Sequence, residues 1–179
     1  MSKTKQHPLI NMTLTAILAA VSVVLSRFLS VNVWNMSIGF AFVPVLICGL
    51  LCGPFWCGVC GALADLVGAL LFPFGAYFPG FTAVAFLNGV IYGTIGIASE
   101  KVKKGWLFLI VSFGLITLSE LVCSLALNSL WITILYKSPY FATVLSRVPV
   151  SAVTVVLGTL LCLFLRQTII SPLKKLKNN

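Results

Sequence analysis

The chain has 179 residues, 60% of them hydrophobic and 8% charged, with 12 Lys and Arg against 3 Asp and Glu and a mean hydropathy of +1.11. That composition excludes a soluble domain, because repeated runs near 20 apolar residues mean a polytopic α-helical membrane protein. It also excludes a β-barrel, whose strands alternate apolar and polar residues as Val43–Cys52 does not. The net charge of +9 points to no nucleic acid, since most basic residues fall in breaks between apolar runs.

Six membrane-spanning helices are expected, at about 9–27, 38–53, 55–72, 82–99, 106–135 and 140–166, forming one integral membrane domain over residues 1–179. The first run has no clean small-residue cleavage site and leads into further spans, which argues against a signal peptide. It carries Ala16-x-x-x-Ala20, a small-xxx-small pattern that lets helix backbones approach closely, and it ends at Arg27. The break that follows, Ser30 to Ile38, is polar-aromatic and uncharged, and reads as a cap rather than a solvated connector. The second and third spans join through Leu51-Cys52-Gly53-Pro54-Phe55-Trp56, too short for anything but a tight turn between antiparallel neighbours. Gly49-x-x-x-Gly53 and Gly89-x-x-x-Gly93 read as packing within the bundle.

The third span carries Asp65 and exits through Phe72-Pro73-Phe74-Gly75-Ala76-Tyr77-Phe78-Pro79-Gly80-Phe81-Thr82, two Pro, two Gly and five aromatics in eleven residues. Pro and Gly set such a backbone, and the rings supply flat apolar faces. An interfacial aromatic belt is the plainer account, although Trp and Tyr are more typical of belts than Phe. Asn88 lies in the outer part of the fourth span and Glu120 near the middle of the fifth. Asn128 follows about two turns further out, and Arg147 stands in the outer half of the last span.

Lysines and arginines sort by side. Lys3 and Lys5, then Lys101, Lys103 and Lys104, then Arg166, Lys174, Lys175 and Lys177 share one side of an even-span topology, against Arg27, Lys137 and Arg147 on the other. Both termini are therefore expected in the cytoplasm.

A charge at membrane depth costs several kcal/mol unless paired or wetted, so Arg27, Asp65, Glu120 and Arg147 mark a functional region by default. The simplest alternative is a pair of salt bridges that only staple helices, for instance Asp65 with Arg147. Both charge signs and two Asn in the outer half, beneath an aromatic loop, favour an outward-opening ligand pocket.

Six Cys lie inside apolar runs and read as small helix-contact residues. Cys57-x-x-Cys60 has no second pair, and the lone His7 is far from it. No phosphate-binding Gly-rich loop is present. One membrane Asp and one terminal His do not make an intramembrane hydrolase. No enzyme and no cofactor are implied, and six helices without an inverted repeat are few for a transporter acting alone.

The aromatic exit of the third span resembles that of the S-components of energy-coupling factor (ECF) vitamin transporters, in particular the folate-specific branch, apart from Phe74, where a small polar residue is commoner. Ala16-x-x-x-Ala20 is similar to the motif through which such subunits dock on a transmembrane coupling protein. The resemblance covers essentially the whole chain. It implies a plasma-membrane subunit that captures folate outside and passes it inward with a coupling protein and two cytoplasmic ATPases, toppling in the bilayer as it does so. On that reading Arg27 and Arg147 are candidates for the glutamate tail of folate, and Asp65, Glu120, Asn88 and Asn128 for the pterin donors. Phe74, Phe78, Phe81 and Trp131 are candidates for the ring walls, and Ala16 and Ala20 for partner docking. An S-component for another vitamin or a queuosine precursor, and a membrane scaffold with no ligand, are the other readings.

Overall fold

The structure, a computed structural model, describes residues 8–28, 30–33, 36–72, 77–102 and 104–170. Helix α1 (Pro8–Phe28) leads into a two-stranded antiparallel hairpin, β1 (Ser30–Val33) and β2 (Met36–Gly39), in register Ser30↔Gly39 through Val33↔Met36. Helices α2 (Phe42–Cys52), α3 (Pro54–Leu71) and α4 (Pro79–Lys101) follow. The next rod is helical from Gly105 to Tyr136: α5 (Gly105–Ser119), a π-helical stretch Glu120–Asn128, and α6 (Ser129–Tyr136). Helix α7 (Tyr140–Leu165) closes the bundle and continues π-helically to Ile170.

Local chemistry sets these boundaries. Pro54 and Pro79 open α3 and α4, where a missing N–H costs nothing and the fixed φ suits a helix. Gly53 turns the chain between α2 and α3 at φ +88°, a conformation that glycine adopts without a Cβ penalty. Lys137, at φ +51°, stops the rod in the same left-handed region.

Among the described residues, five helices are long and apolar enough to cross a bilayer: α1, α3, α4, the α5–α6 rod and α7. The expected span at 38–53 is realised differently. Ile38 and Gly39 belong to β2, and the helix that remains is eleven residues, about 16 Å long. It nevertheless returns the chain. The ends of α1 and α3 meet, with the Arg27 guanidinium over Gly68 and Phe28 edge-on to Phe72 at 5.7 Å, so α2 must run antiparallel to both.

The opposite end of the bundle is closed by Arg166, which donates a hydrogen bond to the Val102 carbonyl and lies 4.4 Å above the Phe108 ring. Between these ends, α2, α3 and α4 touch backbone to backbone. A Cβ at Gly89 would sit 2.8 Å from Gly58 Cα, and one at Gly61 2.6 Å from the Ala85 carbonyl oxygen. Cβ atoms at Gly93 and Gly96 would run into Pro54 and Gly49. The Gly89/Gly93 pair is thus packing within the bundle, as its spacing predicts, whereas Gly53 acts as a turn residue. Cys48, Cys57, Cys60, Cys123 and Cys162 are buried free thiols. Cys57 donates to the Val45 carbonyl at 3.1 Å, as a small contact residue can. Large apolar side chains such as Leu9, Phe141, Leu145 and Phe164 face outward, where a bilayer takes the place of a core.

The backbone contacts give opposite signs at two glycines. Gly89→Val will lower the melting temperature in detergent, at about 1–3 kcal/mol of overpacking. Gly114→Ala, where a Cβ meets nothing within 4 Å, will be neutral or stabilising by up to about 1 kcal/mol from helix propensity. Thermal unfolding of the two variants beside the parent reads both.

Candidate functional site

Three groups of side chains meet in the half of the bundle that holds the hairpin and the start of α4. The first joins α1, α3 and α4. Arg27 packs over Gly68, one helical turn from Asp65, and the two charges attract. The Thr82 hydroxyl, in the first turns of α4, donates to Asp65 Oδ2 at 2.7 Å. The Tyr77 hydroxyl lies 3.1 Å from the same Thr82 oxygen.

The second group is aromatic. The Phe78 ring lies 5.1 Å from Trp131 at an interplanar angle of 51° and 6.4 Å edge-on from Phe81. Gly80 sits beneath both rings, and a Cβ there would come 2.8 Å from Trp131 Cε2. An apolar slab thus links the start of α4 to α6.

The third group joins the rod to α7. Glu120 opens the π-helical stretch and is buried at 8% exposure. Its carboxylate interacts with the hydroxyls of Ser151, Ser124 and Tyr92 and with the Arg147 charge. The Ser124 and Ser151 hydroxyls stand 3.5 Å apart. A cleft of about 200 Å³ opens here, with Glu120, Arg147, Ser151 and Thr154 on one side and Gly39, Ala41 and Phe42 below the hairpin on the other. Half a turn away, Ser119 donates to Asn88 Oδ1, tying the rod to α4. π-Helical turns concentrate at functional sites, and this one begins at the buried acid.

Of the residues expected from the sequence, Asp65 meets Arg27 and Thr82 rather than Arg147, and Arg147 meets Glu120. The Asp65–Arg147 staple is therefore not what forms. Phe78, Phe81 and Trp131 come together in one aromatic cluster, and Phe74 lies outside the described residues. Three polar atoms along a short piece of the rod, Asn128 Oδ1, Ser129 Oγ and Trp131 Nε1, are buried with no hydrogen-bond partner among the described residues. In an apolar surrounding an unsatisfied polar atom costs about 1–3 kcal/mol, which makes these three candidates for contact with a ligand or water. Ser and Thr residues are what the sequence reading missed. Thr82, Ser119, Ser124 and Ser151 carry no signal there, because hydroxyls on membrane helices usually bond their own backbone, as Thr133 does to Ser129 and Thr159 to Val155.

On the outer surface of α1, Ala16 and Ala20 are exposed while Thr15 and Ala19 are buried at 1% and 6% exposure. The alanine pair thus faces away from this bundle. Among the described residues no group of three or more His, Cys, Asp or Glu stands ready to hold a metal ion.

The chain matches the family described as "ECF transporter, substrate-specific component" over residues 11–170. It is 40% identical over 120 residues to a protein of Clostridium novyi (strain NT) named folate transporter FolT, a stretch that covers 67% of this chain and 66% of the relative. A second folate transporter FolT, from Leuconostoc mesenteroides subsp. mesenteroides, is 32% identical over 127 residues, covering 71% of this chain and 65% of its own. The chain thus spans just under two thirds of the length of these relatives. A crystal structure of FolT bound with folic acid superposes with a TM-score of 0.76 at 32% identity, covering 88% of this chain and 93% of that one. The S-component for biotin from an ECF-type ABC transporter superposes at 0.66 over 93% and 96%, at 13% identity, which shows a shared fold. The chain belongs to the substrate-specific components of ECF transporters, as a multi-pass membrane subunit and not an enzyme.

Proposed function

We propose that this chain is a high-affinity folate-binding subunit that captures the vitamin at the outer face of the cell membrane and passes it inward with a coupling protein and two cytoplasmic ATPases. The observation that carries this reading is the set of unpartnered buried atoms Asn128 Oδ1, Ser129 Oγ and Trp131 Nε1 beside the Phe78–Trp131 slab. A pterin ring offers both donors and acceptors at its edge and a flat face for stacking, which matches such a wall. Asn88 and Glu120 add acceptors deeper in, and Arg147 adds a donor for a carboxylate. The FolT relatives, and the likeness to FolT bound with folic acid, support folate over other ligands.

The membrane arrangement belongs to the same proposal. α2 with the strand before it makes a sixth crossing, and both termini lie in the cytoplasm. Lys101, Lys104 and Arg166 then share the inner side with the Val102 clamp, and Lys137 stands outside, as the positive-inside rule asks. The hairpin caps the pocket. The Ala16/Ala20 face receives the coupling protein, because small exposed residues let a partner helix approach closely.

Purified protein titrated with folic acid, by calorimetry or tryptophan fluorescence, will show saturable binding at micromolar ligand or below. Folded protein that does not respond, or that prefers another vitamin in a competition panel, overturns the folate assignment. Arg147→Gln will weaken folate binding by about 1–3 kcal/mol, the worth of a charge-assisted bond in a desolvated site. If Arg147 only neutralises Glu120, the melting temperature will fall while affinity holds, so both are measured on each variant.

Ala16→Trp with Ala20→Trp will leave folate binding by the isolated chain intact and abolish most uptake in cells that express the coupling protein and ATPases. Normal uptake by the double variant removes the docking assignment. Loss of ligand binding as well would make this face part of the bundle's own packing.

A further inference from the structure

We propose that Thr82 is a positioning residue for ligand capture: its hydroxyl, bonded to Asp65, fixes the first turns of α4 and thereby holds Phe78 against Trp131. The proposal rests on the reading of the Phe78–Trp131 slab as a wall of the ligand pocket.

Backbone packing of α4 on α3 begins a turn further on, at Ala85 over Gly61, so the first turn depends on its own caps and side-chain contacts. Its cap residue, Phe78, supplies no side-chain hydrogen bond, and Pro79 has no N–H. The Phe78 carbonyl accepts from Phe81 N at 3.0 Å. A threonine four residues into a helix ordinarily bonds the carbonyl one turn back, and Thr13, Thr133, Thr154 and Thr159 do so here. Thr82 instead reaches across to α3, 2.7 Å from Asp65 Oδ2. Asp65 is itself held by the charge of Arg27, which lies flat over Gly68. The tie therefore runs from α1 through α3 to α4.

Four residues before Thr82 the Phe78 ring packs against Trp131, and Gly80 beside them has no room for a Cβ. A shift of the α4 terminus by a fraction of an ångström must move that ring. Tyr77 contacts the same Thr82 oxygen and completes the tie at the residue before Phe78. Asp65 acts in this scheme through Thr82 rather than on the ligand. A carboxylate engaged by both Arg27 and a hydroxyl is a poor free acceptor for a pterin.

The test uses the full chain with Trp34, Trp56 and Trp106 changed to Phe, so that Trp131 alone reports. Thr82→Val keeps the shape and removes the hydroxyl, and Thr82→Ser keeps the hydroxyl. In ligand-free protein, Thr82→Val will shift Trp131 emission to longer wavelength and raise its quenching by acrylamide, and Thr82→Ser will match the parent. Folic acid affinity will fall about tenfold in Thr82→Val, the scale of one buried hydrogen bond, and recover in Thr82→Ser. Asp65→Ala combined with Thr82→Val will add little to the Trp131 change beyond Asp65→Ala alone, as expected for residues acting in series.

An unchanged Trp131 signal in Thr82→Val overturns the proposal. So does a Ser variant as impaired as the Val variant, or a Val variant that fails to fold while Ser folds, since the bond would then serve the bundle as a whole. The ligand-free signal does not depend on folate. A parent protein that ignores folic acid yet shows the Val-specific shift would refute the folate reading and leave the tie standing.

Discussion

A charge placed at membrane depth needs a counter-charge, a polar partner or water, because an isolated ion in the bilayer costs several kcal/mol. Two acids and two arginines stand as oppositely charged neighbours here, Asp65 near Arg27 and Glu120 near Arg147. The pairs fix which helices face each other. The first draws α1 to α3, and the second draws the α5–α6 rod to α7. Helix α4 lies between them and contributes neutral partners to both sides. Thr82 bonds Asp65, the Tyr92 hydroxyl faces Glu120, and Asn88 accepts from Ser119. Helix α4 thus ties the Asp65 neighbourhood to the Glu120 one through uncharged side chains.

The same helix divides the bundle along its length. Toward the Arg166 end it carries Gly89, Gly93 and Gly96, and there α2, α3 and α4 lie so close that a single added carbon meets backbone. No ligand fits between helices at that spacing. Toward the hairpin end its side chains are Phe78, Phe81, Thr82 and Asn88, and bulk holds the neighbours apart. Close backbone packing fills the first half, and ring contacts with a few directional polar bonds fill the second. Backbone-to-backbone contact at one end of α4 thus gives way to side-chain contact at the other.

The charges were legible in the sequence because they are rare there, and so were the helices that hold them. Their partners were not. Arg27 and Arg147 are equally basic and equally deep by counting residues, and only the packing of α1 on α3 assigns Asp65 to Arg27. The hydroxyl network was silent for a different reason, since a Ser or Thr on a membrane helix has its own backbone as a ready partner. The Ser30–Ile38 break reads as a cap but not as a hairpin, because two strands of four residues are too short for alternation to declare itself. That misplaced the start of α2, where the apolar run continues unbroken from Ile38 through strand and helix alike. The aromatic exit of α3 was legible in its described part. Phe78, Phe81 and Trp131 converge, though nothing in the spacing of Trp131 from the loop marks it as their partner.

Helix α1 takes part in two separate surfaces, and their geometry makes them independent. Thr15, Ala19, Ser22 and Val23 face inward, and Ala16 and Ala20 face the lipid one step around the helix. Lipid tails are as apolar as alanine, so exposure there supplies no hydrophobic drive for association, and any contact must come from close backbone approach. At the far end of the same helix Arg27 is committed to Asp65, about seven residues or two turns beyond Ala20. A partner on the alanine face would therefore hold a helix whose far end is already packed over Gly68 of α3.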